Sequence, residues 1–290
     1  MRLGVNVPNF GPGTNPDVLR RWALTVEGLG FDLLMMSDHI AVTPDVAQQY
    51  PAPFYDPFTT LSWLAGITRR VRLGTTVIVL PYRHPLLVAR MAANLNDLSG
   101  GRLVLGVGVG GFRQEFDALG VPFRERGRLT DEHLLAIRAA WQDDADYRSG
   151  QIPVWIGGNS DAAVSRAVRL GDAWHPLRFT PGWMAAAADR LKASAAEQRR
   201  AQPALMPRIA LRLTQAPITD DARLAGHGTI DQITGDLDQL RSLGADTVLL
   251  DPFNGDHRET AHPEVAWQAL ATVAERWNRH ESKDIDPERS

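Results

Sequence analysis

The chain of 290 residues contains no cysteine, which removes disulfides, thiolate zinc sites and thiol nucleophiles together. Lysine is nearly absent: Lys192 falls in an alanine-rich helical pattern and Lys283 in the polar C-terminal stretch. Schiff-base chemistry needs a desolvated amine in a pocket, and neither position offers one. There is no excess of either charge, with 31 basic against 34 acidic side chains and a net of −3. Nothing therefore draws the protein toward a phosphate backbone or an anionic lipid surface. No apolar run reaches the roughly 20 residues of a membrane span. Met1-Arg2-Leu3 leads directly into a strand pattern without signal-peptide architecture. The expectation is a cytoplasmic protein acting on a small-molecule substrate, with neither nucleic acid nor membrane as partner.

What is present is regular. An apolar content of 44% supports a large core, and short aliphatic runs alternate with amphipathic stretches, the pattern of repeated βα units. Strands are expected at Leu3–Pro8, Asp32–Met36, Val71–Leu80, Leu103–Val107, Val154–Ile156, Ala173–His175, Arg208–Gln215 and Thr247–Leu250. Helices are expected at Pro16–Leu29, Pro57–Thr68, Pro85–Leu98, Leu129–Trp141, Ala162–Leu170, Pro181–Arg200, Ile230–Leu243 and Pro263–Asn278. Asn15-Pro16 has the form of an N-cap with proline at the first helical position, and Thr229 with Gln232 that of a capping box. Gly30, Gly171 and Gly244 fit left-handed C-caps. Eight strands and eight helices without a linker predict a single α/β domain, a TIM (β/α)8 barrel over residues 1–280, with a polar tail at 281–290.

Barrel chemistry sits at the C-terminal ends of strands, so the polar groups there matter. Ser37-Asp38-His39 end the second strand abruptly, and Asn6 and Pro8-Asn9 close the first. Tyr82-Arg83-His84 follow the third, Trp174-His175 close the sixth, and Asp251 with Phe253 follows the eighth. Aromatic surface with a few polar groups on one face suits a planar ligand; capping and locally satisfied side chains are the alternative. Gly106-x-Gly108-x-x-Gly111 matches the dinucleotide fingerprint in form, but it follows a fourth strand and Asp131 lies within a helix pattern. Its glycines either admit a flat ligand close to the backbone or make a tight strand exit. In "PVWIGGNSDAA", Gly157-Gly158-Asn159-Ser160 opens a helix. Free amides reached past glycine make a phosphate site, unless this is an ordinary capped turn. The proline-rich stretch Ala41–Asp56, with Tyr50, Phe54 and Tyr55, is long for a βα loop and is either a lid over the mouth or an inert excursion.

In this order, "LGVNVPNFG", "FDLLMMSDHI", "RVRLGTTVIVLPYRHP", "GGRLVLGVGVGGFRQEF", "PVWIGGNSDAAVSRAVRLGDAW" and "GTIDQI…LRSLGAD" resemble the bacterial luciferase-like family of flavin and deazaflavin oxidoreductases, particularly its coenzyme F420-dependent branch. The resemblance implies F420, or FMN as the alternative, at the mouth of a luciferase-like barrel. It implies a cis peptide at Thr76-Val77 and phosphate held by Gly157, Gly158, Asn159 and Ser160. Asp38 and His39 would approach the reactive edge of the ring. Asn6, Thr76, Val77, Gly108 and Gly110 complete the cofactor-binding candidates; Tyr55, Trp174, His175 and Phe253 are the substrate-pocket candidates, and His39 is the catalytic one. Two departures from relatives stand out. The stretch "QDDADYRSGQI" is short where relatives carry an insertion, and Gly111 stands where some sugar-phosphate-oxidising relatives have an acid.

The leading expectation is an F420-dependent oxidoreductase that transfers a hydride to or from a small organic substrate. The alternative is an FMN-dependent monooxygenase using reduced flavin and oxygen, fed by a flavin reductase. A homodimer is expected in either case. Arg124, Arg126 and Arg128 are candidates for the glutamyl tail that F420 alone carries, or else a solvated face. A metal-dependent hydrolase built on His39, His84 and His175 lacks the first-strand His-x-His pair, and no metal site is expected. A catalytically silent flavin binder would have lost the Asp38-His39 pair, which is present.

Overall fold

Successive residues of a strand face opposite sides of a sheet, and this alternation divides the strand residues between two cores. A computed structural model of the protein describes residues 1–143 and 151–285. Its strands are β1 (Arg2–Asn6), β2 (Leu33–Met36), β3 (Arg72–Thr75), β4 (Ile78–Val79), β5 (Leu103–Gly108), β6 (Val154–Gly157), β7 (Ala173–His175), β8 (Ala204–Leu205), β9 (Arg208–Ala210), β10 (Arg212–Leu213), β11 (His227–Gly228) and β12 (Thr247–Asp251). The helices are α1 (Pro16–Gly28), α2 (Pro44–Ala47), α3 (Pro57–Ala65), α4 (Pro85–Leu98), α5 (Arg113–Ala118), α6 (Arg126–Asp143), α7 (Asp161–Leu170), α8 (Pro181–Glu197), α9 (Ile230–Ser242) and α10 (Pro263–Ile285).

The pairings are parallel, in the order β8-β7-β6-β5-β3-β2-β1-β12-β9. Segment 204–210 closes the ring, because β8 pairs with β7 and β9 with β12. Pro207 has no N–H to donate, so this strand is broken into two pieces. The Pro207 carbonyl still accepts from Leu249 N at 2.8 Å. The expected strand Arg208–Gln215 therefore starts earlier, at Ala204, and its later residues form the separate β10–β11 pair. Likewise Val71–Leu80 is not one strand: the Thr76–Val77 peptide is cis and separates β3 from β4.

Leu33, Met35, Val104, Trp155, Ala173, Met206 and Leu249 point into the lumen. Their neighbours Leu34, Met36, Leu103, Leu105, Val154, Ile156, Trp174, Val248 and Leu250 face the helices, where they join the larger core with Leu19, Leu61, Leu95 and Leu191. The lumen is narrow. A Cβ on Gly4 would come within 2.9 Å of Leu33 Cβ and its carbonyl oxygen, and one on Gly106 within 1.9 Å of the Thr75 carbonyl. Glycine at these inward positions leaves room for Leu33 and Leu249 at the first and for the Thr75 backbone and Met35 at the second.

Local signals place the helices. Asn15 caps α1 ahead of Pro16, and Thr229 with Gln232 forms the capping box of α9. Gly30 and Gly244 follow their helices with φ of 84° and 85°, as a left-handed cap requires. Gly171 does not, since its φ is −101°. It is needed for space instead, because a Cβ there would lie 2.6 Å from Ile156 Cγ1. Helix α10 runs to Ile285, past the expected end at Asn278 and into the expected tail. The rest of that tail, and most of the short "QDDADYRSGQI" stretch, lie outside the described residues.

Gly4→Val is expected to overpack the lumen and cost about 1–3 kcal/mol. Urea unfolding should show a lower midpoint at unchanged slope; an unshifted midpoint would mean that the interior tolerates a side chain there.

Candidate active site at the barrel mouth

The alternation that fills the lumen also decides its top layer. Inward positions at the strand ends fall on Asn6, Thr76, Gly108, Gly157, His175, Arg208 and Asp251, and the polar members bond to one another. Arg208 Nη2 donates to Asp251 Oδ2 at 2.6 Å and Nε to the same oxygen at 3.0 Å. Asn6 Nδ2 donates to Asp251 Oδ1 at 2.9 Å. Arg208 Nη1 reaches the Thr76 carbonyl at 3.1 Å and its hydroxyl at 3.2 Å. The Thr76 hydroxyl lies 2.9 Å from His175 Nε2, and His175 Nδ1 faces the Met206 carbonyl. A carbonyl can only accept, so Nδ1 carries the proton, Nε2 accepts from Thr76, and the imidazole is neutral. Burial depresses the His175 pKa to about 4, reinforced by the Arg208 charge and opposed by the Met206 bond. Both ring nitrogens are therefore used in holding Thr76, and the expected pocket role for His175 gives way to a supporting one.

At the end of β2 the backbone of Ser37 is held by Asn9, which donates to its carbonyl at 2.9 Å and accepts from its amide at 3.2 Å. Asp38 is buried and takes both guanidinium nitrogens of Arg83, at 2.7 and 2.8 Å, with the Val79 amide at 3.0 Å. Burial pushes its carboxyl upward against the pull of Arg83. Arg83 also reaches Asp56 at 3.0 Å, tying the end of the 41–56 segment to the strand. Asp38 is thus an anchor for Arg83 and turns no free oxygen to a ligand.

His39 is bound by a residue that inspection of the sequence missed. Glu115, in α5, is 0% exposed. Its Oε2 lies 2.7 Å from His39 Nδ1 and accepts from the Tyr82 hydroxyl at 3.0 Å; its Oε1 accepts from the amides of Ile40 at 2.7 Å and Ala41 at 3.1 Å. Burial favours the neutral acid, but the His39 bond and charge and the two amides outweigh it and hold the carboxyl below its ordinary value. An ionised Glu115 fixes the proton on Nδ1. Nε2 meets no hydrogen-bond partner among the described residues. Glu115 lay inside the quoted run "GGFRQEF"; a lone acid one turn into a helix offered no spacing signal toward residue 39.

The 41–56 segment covers this imidazole. Tyr50 and Phe54 lie 4.9 and 5.3 Å from the His39 ring, and Phe112 lies 5.0 Å away. Tyr50 also meets Phe10 at 5.0 Å and Phe253 at 6.1 Å. Gly11 N donates to the carbonyls of Pro51 and Pro53, at 3.0 and 2.9 Å, which laces the segment to the loop after β1. Phe253 is at the mouth as expected. Tyr55 and Trp174 are not: Tyr55 packs against the outer core, and Trp174 belongs to that core and donates from Nε1 to the Gly158 carbonyl at 2.8 Å. The strand alternation that turns His175 inward turns Trp174 outward.

The glycines also differ in part from expectation. A Cβ on Gly108 would lie 2.6 Å from Val77 Cγ2, and one on Gly157 2.8 Å from Val77 Cγ1, so both make room for Val77. Gly110, at φ 76°, would bring a Cβ 2.6 Å from Val79 Cγ1 and serves the tight exit from β5. At the start of α7, Ser160 caps the helix through the Ala163 amide, while Asn159 exchanges hydrogen bonds with the Leu177 backbone at 2.7 and 2.9 Å. These side chains shape the turn. The amides of residues 159–162 meet no protein acceptor among the described residues, and Gly158, at φ 115°, takes a conformation suited to glycine.

Unmet donors and acceptors thus remain on the mouth side: the exposed α7 amides, His39 Nε2, and the buried Asn6 Oδ1, which has no partner. They suit a flat group with ring N–H donors and a phosphate arm. The histidines of the hydrolase alternative have separate duties: His84 caps α4, His175 supports Thr76 and His39 meets Glu115. Among the described residues no three metal-ligating side chains converge, and no helix is long and apolar enough to cross a membrane.

The family model for luciferase-like monooxygenases matches residues 1–274, and the chain belongs to that family. An uncharacterised Mycobacterium tuberculosis protein is 31% identical over 180 residues, covering 52% of this chain and 62% of its own length. The matched region thus spans less than two thirds of that relative. Among solved structures, the FMN complex of the oxygenating constituent of 3,6-diketocamphane monooxygenase from Pseudomonas putida superposes with a TM-score of 0.74 at 15% identity, over 94% of this chain and 96% of that one. The coenzyme F420-dependent tetrahydromethanopterin reductase of Methanopyrus kandleri superposes with a TM-score of 0.73 at 16% identity, over 94% and 97%. At such identities the likeness establishes the fold.

Two outcomes follow from the floor network. Arg208→Met leaves Asp251 buried without its cation and is expected to cost about 3–5 kcal/mol, read by urea unfolding; a loss below about 1 kcal/mol would place the pair outside the core energetics. An unfolded imidazole takes up its proton near pH 6.5 and His175 only near 4, so the unfolded chain binds more protons between those values. The contribution of His175 is whole above about pH 6.5 and is lost as pH falls toward 4, by up to about 3 kcal/mol. His175→Gln, which can make the same two hydrogen bonds, should flatten stability across that window; an unchanged slope would assign the acid sensitivity elsewhere.

Proposed function

We propose that the protein is a coenzyme F420-dependent oxidoreductase that transfers a hydride between the deazaflavin and a small organic substrate, with His39 as its proton donor and acceptor. The observation that carries this is the Glu115–His39 pair, which commits Nδ1 to a buried carboxylate and leaves Nε2 for chemistry. F420, when bound, supplies the two-electron hydride exchange. The residues to hold it are the α7 amides for the phosphate, Asn6 Oδ1 for a ring N–H donor, and the Thr76–Val77 turn, flanked by Gly108 and Gly157, as the backing surface.

The protein's own part is proton management and exclusion of water. As an imidazolium steadied by Glu115, His39 donates its Nε2 proton to the oxygen of a carbonyl substrate as that carbon is reduced. In the opposite direction neutral Nε2 accepts the hydroxyl proton. Tyr82, whose hydroxyl is pushed up first by burial and then by Glu115, stays protonated and donates to the carboxylate throughout. Tyr50 and Phe54 shield the imidazole from solvent.

The alternative, an FMN-dependent monooxygenase supplied with reduced flavin by a separate reductase, draws support from one feature. Of the arginines considered for the F420 tail, Arg128 is engaged by Glu125 and Glu132, and Arg126 stacks 4.1 Å from the Phe123 ring centre, so little of that cluster is left for an anionic tail. A cytoplasmic homodimer acting without nucleic acid or membrane completes either reading, supported by the near-neutral charge.

Titration of the purified protein with F420 and with FMN, followed by fluorescence quenching, should show F420 binding the tighter. Tight FMN binding with no response to F420 would overturn the assignment in favour of the monooxygenase. His39→Asn should lower turnover about 10²–10⁴-fold with cofactor affinity little changed. Glu115→Gln should lower turnover with cofactor affinity little changed, because a neutral amide orients the His39 ring less firmly than the carboxylate does; unchanged turnover would reduce Glu115 to packing.

A further inference from the structure

Beside the mouth lies a cavity of about 730 Å³, between the loop after β12, the start of α10, α1 and the β9–β10 connection. The volume falls within the roughly 300–1,000 Å³ of small-molecule sites. Trp22, Leu211, Leu213, Phe253, Ala266 and Ala269 supply its apolar surface. Most of its charged rim is already satisfied: Arg258 grips Asp256 at 2.6 Å, and Glu259 accepts the Asn254 amide at 2.8 Å. Arg212, also on the rim, has no ion-pair partner among the described residues.

Arg212 shares this rim with Asp256, which Arg258 holds, and with Glu259, which the Asn254 amide holds. At the end of β12, Arg208 holds Asp251 Oδ2 at 2.6 Å. Arg178 stands 3.9 Å from the same oxygen and donates to the Phe253 carbonyl at 3.0 Å. His227 senses this field: burial foremost, then the positive charges of Arg212, Arg178 and Arg223, hold it below its ordinary value against its bond to Asn254.

Only two rings separate the cavity from the imidazole. Phe253 lines the cavity and lies 6.1 Å from Tyr50, and Tyr50 lies 4.9 Å from His39. We propose that this cavity is the subsite for the body of the substrate, an apolar chain or ring system carrying a carboxylate that Arg212 takes, with Phe253 and Tyr50 as the partition between that body and the reacting end at His39. The assignment rests on the oxidoreductase reading above. It uses the apolar walls for affinity and the one unpaired guanidinium for orientation.

Calorimetric titration of the full chain with decanoate and with decanol tests it. Decanoate is expected to bind about tenfold tighter than decanol, the worth of one charge-assisted hydrogen bond. Arg212→Gln should abolish that preference while decanol binding holds. Ala269→Trp, which fills the cavity from α10, should weaken both ligands at least about tenfold, with the melting temperature confirming a folded protein. Absence of decanoate binding, or affinity indifferent to Ala269→Trp, would overturn the subsite. The F420 and FMN titrations are scored separately on the same variants. If neither cofactor binds while decanoate follows the expected pattern, the oxidoreductase reading falls, and with it the substrate role, leaving a binding cavity alone.

Discussion

The mouth of this barrel depends on one buried ion pair. Arg208 and Asp251 belong to adjacent strands, and both face inward where the apolar lumen ends. A lone charge there would be prohibitive, and a pair is tolerable only when its remaining hydrogen-bonding groups are also satisfied. Asn6 and Thr76 meet that requirement. Through Thr76 the network reaches His175 and the Met206 carbonyl, so residues from five separate parts of the chain are drawn into one layer. The layer fixes the backbone before Val77 and presents the unpartnered Asn6 Oδ1 as a fixed acceptor.

A second carboxylate, Glu115, does for the mouth's rim what Asp251 does for its floor. It gathers His39, Tyr82 and the amides of Ile40 and Ala41. One buried anion therefore orients the imidazole, secures the first residues of the covering segment and anchors α5. Arg83 closes the other end of that segment by spanning Asp38 and Asp56. The cover is held at both ends by charge, while its middle rests on ring contacts around Tyr50 and Phe54 and on the hydrogen bonds from Gly11 to the Pro51 and Pro53 carbonyls.

Much of the architecture was legible because it follows from local rules. Period-2 and period-3.6 patterns gave the eight repeats, and proline and hydroxyl or amide caps marked helix starts at Asn15 and Thr229. The boundaries that failed did so for specific reasons. The strand expected from Arg208 begins at Ala204, on the far side of a proline that reads as a strand boundary, and Gly171 was needed for its lack of a side chain rather than for its dihedral angle. Within the site, His39 and Phe253 both lie against Tyr50 at the mouth. Tyr55 and Trp174 pack on the outer core instead, because an aromatic side chain near a strand end says nothing of which face it takes until the neighbouring strand is in register.

The sequence by itself determined the repeat, the identity of the polar strand ends and the absence of any thiol, since each depends on residue type or on spacing within a few turns. Tertiary structure alone decided the pairing of Glu115 with His39 across 76 positions and of Arg208 with Thr76 across 132. It also decided that the side chain of Val77 would fill the space left by Gly108 and Gly157. Contacts between residues so distant in the chain exist only once the barrel has closed, and no local preference of either partner encodes them.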